Sequence, residues 1–235
     1  MKEQKDESFD NRKGLYMMKI SELFDLRRTL ALPYLTRFTY PWEALGGLSP
    51  FLLYLGKTLS PQDFCEISPD IYVHRTAQIA PSAKIEAPAI IGANTEIRHG
   101  AYLRGAVLIG EHCVVGNSTE VKNSILFDRV QVPHFNYVGD SILGYRAHFG
   151  AGVITANVRL DHGEVIIHSC EAHATGRMKC GAMIGDFVEV GCNSVLCPGT
   201  VIGKNTQIYP LSVVRGVIPE NSILKAEGTV QLRGV

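Results

Sequence analysis

The stretch AIIGANTEIRHGAYLRGAVLIGEHCVVGNSTEV, residues 89–121, decides the fold. An aliphatic residue recurs in it at every sixth position, at Ile91, Ile97, Leu103, Ile109, Val115 and Val121. The same beat begins at Val73, resumes at Leu143 and Phe149, and runs again from Ile184 to Val214. The helical period of about 3.6 does not stay in phase with so many repeats, and an alternating strand would place an aliphatic residue at every second position and not at every sixth.

Two further regularities define the six-residue unit. Glycine often follows the aliphatic residue, as at Gly92, and a small or branched residue stands four places after it, as at Thr95. The place between often holds asparagine (Asn94), which tolerates the left-handed backbone of a sharp corner. A unit that bends once per repeat closes a triangular coil every three units, and such coils stack about 4.8 Å apart. The predicted class is therefore all-β, a left-handed parallel β-helix, because hexapeptide repeats are an exception to right-handed crossovers.

The pattern also predicts how the chain is divided. Short apolar stretches at helical spacing precede the repeats, and we expect them to cover the open end of the β-helix. The rhythm slips in two places, which predicts excursions near residues 133–141 and 158–183, and loops on a rigid scaffold commonly have functional roles. The predicted segments are a disordered extension (1–17), a small N-terminal helical cap (18–64), the β-helix (65–218) and a C-terminal tail (219–235).

Composition narrows the class of partner. Lysine plus arginine balances aspartate plus glutamate at 23 each, so no overall field favours nucleic acid or an anionic membrane. No apolar run approaches the roughly 20 residues that span a bilayer, and the charged N-terminus lacks the apolar core of a signal peptide. The six cysteines lie far apart, and we interpret them as free thiols in a reducing compartment. These features predict a cytoplasmic protein without nucleic-acid or membrane partners.

Arg104 and Lys122 are the first candidate site residues. They lie eighteen residues apart, which is one full coil, and each follows an inward aliphatic residue. They should therefore stack on one side of the prism, where a planar guanidinium and a lysine ammonium together suit a phosphate group. Spacing alone leaves open that both are solvated surface cations.

The slipped segment, Val130–Asn157, contains the other candidates. The imidazole of His134 can take a proton from an amine or hydroxyl, and Tyr137 follows three residues on. Gly150-Ala151-Gly152 leaves the backbone bare, so its N–H groups can approach a ligand closely. Asn157 can orient an amine or a carbonyl group. A structural histidine and a turn-forming asparagine remain the alternatives.

His134 lies twelve residues beyond Lys122, two thirds of a coil, and so on another face. A ligand shared by both would have to bridge neighbouring subunits. His99 and His134 have no third histidine at the spacing of zinc-binding hexapeptide proteins, so no metal site is predicted. No glycine-rich nucleotidyltransferase motif precedes the repeats.

Two runs resemble a known family. Pro-His-Phe-Asn-Tyr-Val-Gly-Asp, from Pro133, and Phe-Gly-Ala-Gly-Val-Ile-Thr-Ala-Asn, from Phe149, are similar to the acetyltransferase half of the bifunctional glucosamine-1-phosphate acetyltransferase/N-acetylglucosamine-1-phosphate uridyltransferase. They are closer still to the β-helix domain of related sugar-1-phosphate nucleotidylyltransferases. The similarity covers about residues 91–217, and the nucleotidyltransferase half is missing. The resemblance implies trimers with sites between subunits and acetyl-CoA as acyl donor.

The resemblance also implies roles for single residues. His134 becomes the general base on the sugar amine, with Tyr137 and Asn157 orienting the sugar and the acyl donor. Arg104 and Lys122 fall where the family holds the sugar phosphate. The remaining implied positions are Ala151, whose amide meets the thioester, Gly152 beside it, His148, where the acetyltransferase has asparagine, and Cys192, which replaces a serine near the cofactor.

The leading hypothesis is an acetyl-CoA-dependent N-acyltransferase acting on an amino-sugar phosphate in nucleotide-sugar or cell-envelope precursor synthesis. The alternative is a non-catalytic subunit that binds a sugar nucleotide and serves a separate nucleotidyltransferase. The acyltransferase predicts release of coenzyme A, whereas the alternative predicts ligand binding without it.

Overall fold

A computed structural model describes residues 16–226 and 228–232. Nearly all of the chain from Phe64 onward consists of short strands joined by tight corners. The strands are β1 Phe64–Ser68, β2 Ile71–His74, β3 Gln78–Ile79, β4 Lys84–Glu86, β5 Ala89–Ile91, β6 Glu96–Ile97, β7 Tyr102–Arg104, β8 Val107–Ile109, β9 Val114–Asn117, β10 Glu120–Lys122, β11 Ser124–Leu126, β12 Gln131–His134, β13 Tyr137–Gly139, β14 Ile142–Leu143, β15 His148–Phe149, β16 Ile154–Thr155, β17 Ile166–His168, β18 Ala172–Ala174, β19 Ala182–Ile184, β20 Glu189–Val190, β21 Val195–Leu196, β22 Thr200–Ile202, β23 Gln207–Ile208, β24 Val213–Val214, β25 Val217–Ile218, β26 Ser222–Leu224 and β27 Val230–Leu232.

Three sheets form the faces of a prism, and the chain visits them in the order A, B, C. Sheet A contains β1, β2, β5, β8, β11, β14, β19, β22 and β25; sheet B contains β3, β6, β9, β12, β15, β20, β23, β26 and β27; sheet C contains β4, β7, β10, β13, β16, β21 and β24. Neighbouring strands are parallel except at the two ends, where β1 pairs with β2 and β26 with β27 in antiparallel fashion. The aliphatic residues of the beat point inward, and Leu103, Val121 and Val138 are fully buried. The predicted parallel β-helix is confirmed.

The first predicted excursion, near residues 133–141, is absent from the structure. Gln131–His134 and Tyr137–Gly139 are strands of sheets B and C in register with their neighbours. The rhythm slips because two coils are one residue shorter: Glu120 pairs with Tyr137, whereas Tyr102 pairs with Glu120. The residue is lost at the corner from sheet C to sheet A, where Asn123 and Asp140 have φ of 46° and 48°. A shorter corner shifts the phase of the repeat without opening a loop.

The second excursion leaves the coil after β16 and returns at β19. Its strands β17 and β18 form an antiparallel hairpin, with Ile167 opposite His173. Val165 and Ile167 are buried, and a Cβ at Gly199 would lie 2.9 Å and 3.0 Å from their side chains. Since Gly199 also has φ of 77°, glycine at this corner lets the excursion pack directly against the coil.

The N-terminal segment lies along sheet A and not across the end of the β-helix, which corrects the expected position of the cap. Its helices are α1 Ile20–Leu23, α2 Leu32–Leu35 and α3 Leu48–Gly56, with 3-10 turns at Leu26–Arg28 and Pro41–Gly47. Helix α3 contacts β5 and β8. The outward side chains of sheet A are aliphatic and therefore need a cover, and they are fully buried: Ile90, Leu108, Ile125, Ile142, Met183 and Val201.

Asp186 fastens the start of this segment to the coil. Its carboxylate accepts the N–H groups of Asp25 at 2.7 Å and Tyr145 at 2.8 Å, and its own N–H donates to the Leu23 carbonyl. Burial raises the pKa of Asp186. Nearby, the rings of Phe24 and Phe127 lie 5.0 Å apart. Asp25 and Asp186, which this hydrogen bond joins, are 161 residues apart in sequence.

The structure refines the expected boundaries. The extension predicted over residues 1–17 lies mostly outside the described residues, although Met17 is described and buried. The coil continues past residue 218, because Ile223 pairs with Gln207 and extends sheet B into the predicted tail. Among the helices of the described residues, none is both long and apolar enough to cross a bilayer.

Candidate functional site

His134, Ala151 and Cys192 form a column at the corner from sheet B to sheet C, called here the BC corner. Gln131 pairs with His148, so His134 stands beside Ala151, and Phe149 pairs with Val190, so Ala151 stands beside Cys192. The three residues follow one another in successive coils. The structure thus brings together the predicted base and the positions predicted to meet the acyl donor.

The groups of this column are accessible to a ligand. The His134 side chain is exposed, and its imidazole has no hydrogen-bond partner among residues 16–226 and 228–232. The Ala151 N–H likewise has no acceptor in this part of the chain, whereas the Gly152 N–H donates to the His134 carbonyl at 3.1 Å. A Cβ at Gly150 would lie 2.7 Å from the Cys192 nitrogen. Close stacking of the coils therefore requires glycine at position 150. The free amide at this corner is the N–H of Ala151 beside it.

The cation pair occupies the opposite edge of sheet C, at the corner to sheet A, called here the CA corner. Leu103 pairs with Val121, so Arg104 and Lys122 stand at equivalent positions of adjacent coils. Each cation already contacts a carboxylate: Arg104 lies 2.6 Å from Glu120, and Lys122 lies 3.1 Å from Asp140. Arg104 uses one guanidinium nitrogen for this contact, so other donors stay available, and its side chain is 43% exposed.

Asp140 is the centre of a buried polar cluster that sequence reasoning missed. Its side chain is only 3% exposed. Its carboxylate accepts from Lys122 Nζ, from Asn123 Nδ2 at 2.7 Å and from Asn157 Nδ2. These donors come from the coil before and the coil after. Asp140 stands within the run that carries the resemblance, but nothing in its spacing indicates a role, because the donors meet only once the coils are stacked.

Tyr137 connects the two edges of sheet C. Its hydroxyl accepts from Asn157 Nδ2 at 3.2 Å, and a Cβ at Gly139 would lie 2.5 Å from that hydroxyl. The ring therefore lies over Gly139 and reaches towards the CA corner. Burial and the nearby carboxylates of Glu120 and Asp140 raise the pKa of Tyr137. The phenol stays protonated near neutral pH, so it acts as a hydrogen-bonding group and not as a base.

The structure separates the remaining candidates. His134 and Asp140 stand at opposite edges of sheet C, and the nearly extended residues 136–140 between the two corners span roughly 15 Å. Within one chain, His134 is thus too far from Arg104 and Lys122 to share one sugar phosphate with them. His148 lies on sheet B, where its Nδ1 is 2.7 Å from the Glu189 carboxylate. No group of three histidine, cysteine or carboxylate side chains suited to a metal ion occurs in the described part of the chain.

A cavity of about 600 Å³ lies between the second excursion and the CA corner. Apolar side chains such as Ile166 form much of its wall, and Arg159, His168 and Arg215 contribute basic groups. Ala156 and Cys197 line it from the coil, so it continues the edge that contains Lys122 and Asn157. The arrangement suits a ligand that has both apolar and anionic parts.

A family model described as bacterial transferase hexapeptide (six repeats) matches residues 88–123 and 181–216. The chain is a hexapeptide-repeat protein. The interval between the two matches contains the two shortened coils, His134 and Ala151 of the BC corner, and the second excursion, where the regular beat is lost.

This hexapeptide-repeat protein is similar to curated bifunctional enzymes. It is 32% identical over 210 residues to the bifunctional protein GlmU of Methanococcus maripaludis, covering 88% of this chain and 51% of that protein. It is 37% identical over 163 residues to the bifunctional sugar-1-phosphate nucleotidylyltransferase/acetyltransferase of Sulfurisphaera tokodaii, covering 61% and 41%. The chain spans about half the length of these relatives.

Solved structures of similar coils include a UDP-N-acetylglucosamine acyltransferase of Francisella novicida. Sequence identity is 14%, the coverage is 69% of this chain and 70% of that chain, and the TM-score is 0.40. A likeness at this level supports no statement about function.

Proposed function

We propose that this protein is an acetyl-CoA-dependent N-acyltransferase that acts on an amino-sugar phosphate. The observation that carries the proposal is the BC-corner column, in which an exposed imidazole (His134) stands one coil from a backbone N–H (Ala151) that has no acceptor among the described residues. A base and an oxyanion donor about 5 Å apart, one coil spacing, are what acyl transfer to an amine requires. The similarity to bifunctional relatives adds support.

The reaction follows from this arrangement. His134 takes a proton from the neutral substrate amine as its nitrogen attacks the thioester carbonyl carbon. The new C–N bond leaves negative charge on the carbonyl oxygen, which the Ala151 N–H stabilises. The C–S bond then breaks, and the imidazolium returns its proton to the coenzyme A thiolate. The products are the N-acetylated sugar phosphate and free coenzyme A.

Asn157 orients the amine in this proposal. Its Nδ2 donates to Asp140 and Tyr137, and its Oδ1 has no donor within the described residues. The carboxylate, which can only accept, therefore fixes the amide so that an acceptor oxygen remains for the ligand. A free acceptor favours an N–H of the substrate amine over a carbonyl group, which sharpens the role expected from sequence.

Arg104 is the main group for the sugar phosphate. It keeps free guanidinium donors beside its contact with Glu120, whereas Lys122 is largely neutralised by Asp140. Because these groups and His134 lie at opposite edges of sheet C, the site is formed between neighbouring subunits of a trimer. Sheet A is covered, and exposed apolar side chains on sheet C and the BC corner supply the contact surface: Phe135, Ile154, Leu211 and Val213.

The direct experiment is a thiol-release assay with acetyl-CoA and a panel of amino-sugar phosphates, including glucosamine-1-phosphate and galactosamine-1-phosphate. Coenzyme A release that depends on one amino sugar, with stoichiometric N-acetylated product by mass spectrometry, supports the proposal. Binding of a sugar phosphate without release of coenzyme A would instead favour the non-catalytic subunit.

The position of the acyl donor is tested by cysteine alkylation. We expect maleimide to label exposed Cys170 and Cys192 at neutral pH, but not buried Cys113 and Cys180, whose thiol pKa burial raises to about 12. Saturating acetyl-CoA should slow labelling of Cys192 at the BC corner and leave Cys170, in the excursion turn, unchanged. Peptide mass spectrometry measures each site, and equal rates at Cys192 with and without acetyl-CoA would contradict this placement.

A further inference from the structure

A second column of residues runs along the corner from sheet A to sheet B, called here the AB corner. Each residue follows the last by one coil, and each backbone N–H donates to a carbonyl of the preceding coil where the ladder is regular, as from Arg129 to Glu111 and from Arg146 to Asp128. All have φ between 53° and 62°. The column consists of Asn94, His112, Arg129, Arg146, Phe187 and Asn205.

The residue types in the middle of this column do not suit its backbone. A left-handed φ favours glycine, and among other residues asparagine, aspartate and histidine, because Cβ crowds the following carbonyl oxygen. Asn94, His112 and Asn205 meet this preference, whereas Arg129 and Arg146 do not. Two successive coils thus retain arginine where asparagine is the more favourable choice, and unfavourable backbone of this kind occurs at functional sites.

The two arginines are also unpaired. No carboxylate of the described residues lies within 4.0 Å of Arg129 or Arg146, and neither guanidinium donates a hydrogen bond within this part of the chain. By contrast, two other surface arginines are paired: Arg98 contacts Glu96 at 2.9 Å, and Arg159 contacts Asp161. Both AB-corner side chains are exposed, so their donors are free for a ligand.

A cavity of about 290 Å³ lies between these side chains and sheet B. Its lining comprises His112, Arg129, Gln131, Arg146, His148 and Glu189. The single carboxylate in this lining, that of Glu189, is hydrogen-bonded to the His148 ring. The other groups can all donate: the two guanidinium groups, which only donate, the His112 imidazole and the Gln131 amide.

We propose that the AB corner binds a phosphate-bearing small molecule through Arg129 and Arg146. One coil spacing, about 4.8 Å, separates the two arginines, so they can hold one phosphate jointly or two linked phosphates, as in a diphosphate. The site differs from the sheet C cluster, since Arg104 and Lys122 belong to the CA corner. A zero net charge and a cavity of this size favour a small anion over an extended nucleic acid. The inference does not depend on acyl transfer.

The test uses the full chain, inorganic pyrophosphate as the probe, and the double variant Arg129→Asn/Arg146→Asn. Asparagine keeps the left-handed backbone favourable, so we expect the variant to fold with an unchanged or higher Tm. Titration calorimetry should give pyrophosphate binding to the wild type and at least a tenfold weaker affinity in the variant. The control is the double variant Lys57→Asn/Arg98→Asn, which removes the same amount of positive charge from other surfaces. It should bind pyrophosphate with the affinity of the wild type.

Three results would overturn the proposal. One is the lack of any pyrophosphate binding by the wild type, and another is equal affinity of the wild type and the AB-corner variant. The third is a short single-stranded oligonucleotide that binds more tightly than pyrophosphate and loses its affinity in the same variant. That outcome would identify the corner as a surface for a polyanion and not as a small-molecule site.

Discussion

Replacing His134 with alanine is expected to lower kcat for coenzyme A release by at least about 100-fold, the usual contribution of a general base. The side chain is exposed and makes no hydrogen bond within the described residues, so the variant should keep the wild-type Tm. Steady-state thiol release with the best amino-sugar phosphate from the panel measures the effect.

His99→Ala is the matched control. Ile97 pairs with Val115 and Asn117 pairs with His134, so His99 stands in the same column two coils earlier, also exposed. Its ring contacts Ser82 at 2.6 Å and has no part in the proposed chemistry. Wild-type turnover by His134→Ala would exclude this mechanism, and equal losses in both variants would mean that the corner acts only structurally.

The same variant reports whether the site lies between subunits. If one subunit contributes His134 and its neighbour contributes Arg104, co-assembled His134→Ala and Arg104→Ala chains regain about one complete interface in four by random assortment. Unmixed variants should stay inactive. Failure to recover any activity in mixed trimers would contradict a site shared between neighbouring subunits.

Asp140→Ala is expected to give the largest loss of stability, about 3–5 kcal/mol, the range seen when one partner of a buried ion pair is removed. The change leaves Lys122 Nζ and the amide groups of Asn123 and Asn157 without their shared acceptor. Urea unfolding at a fixed protomer concentration measures it. Asp161→Ala removes an exposed carboxylate and should leave the midpoint unchanged.

A polarity swap separates the structural and orienting roles of Asp140. Asp140→Asn removes the charge that fixes the Asn157 amide and should raise KM for the amino sugar at least about tenfold, the value of one lost charged hydrogen bond. Asp140→Asn/Asn157→Asp again presents an acceptor oxygen and should recover much of this loss. A double variant that is no better than Asp140→Asn would show that Asp140 does not act through Asn157.

Sequence periodicity predicts the coil well, because each aliphatic residue turns inward independently of its partners. It also predicts the adjacency of Arg104 and Lys122, since these coils keep the regular eighteen-residue length. It fails at residues 133–141, because one residue lost at Asn123 and another at Asp140 disturb the rhythm just as a loop would. A shift in the phase of the repeat, seen in a single sequence, does not distinguish a shortened corner from an inserted loop.

The polar partners are harder to predict than the scaffold. Glu120, sixteen residues from Arg104, and Asp140, eighteen residues from Lys122, are the carboxylates that contact the two cations. Several carboxylates lie about one coil from each cation, so sequence spacing alone does not select the partner. The choice among them depends on side-chain direction at the CA corner. The unpaired Ala151 N–H is likewise invisible in sequence, because it follows from which carbonyl groups the stacked corners bring within reach.

The path of the N-terminal segment sets an order on folding during synthesis. This segment leaves the ribosome first, yet the contact between Asp25 and Asp186 forms only after the fifth coil and the excursion have been made. Until then the outward face of sheet A, which begins with the aliphatic side chains of Ile90 and Leu108, can be covered only by the N-terminal segment of the same chain. Helix α3, which packs on β5 and β8, can protect that face first. We therefore expect removal of the N-terminal segment to cause aggregation of the chain during synthesis, while coils that have already folded stay unchanged.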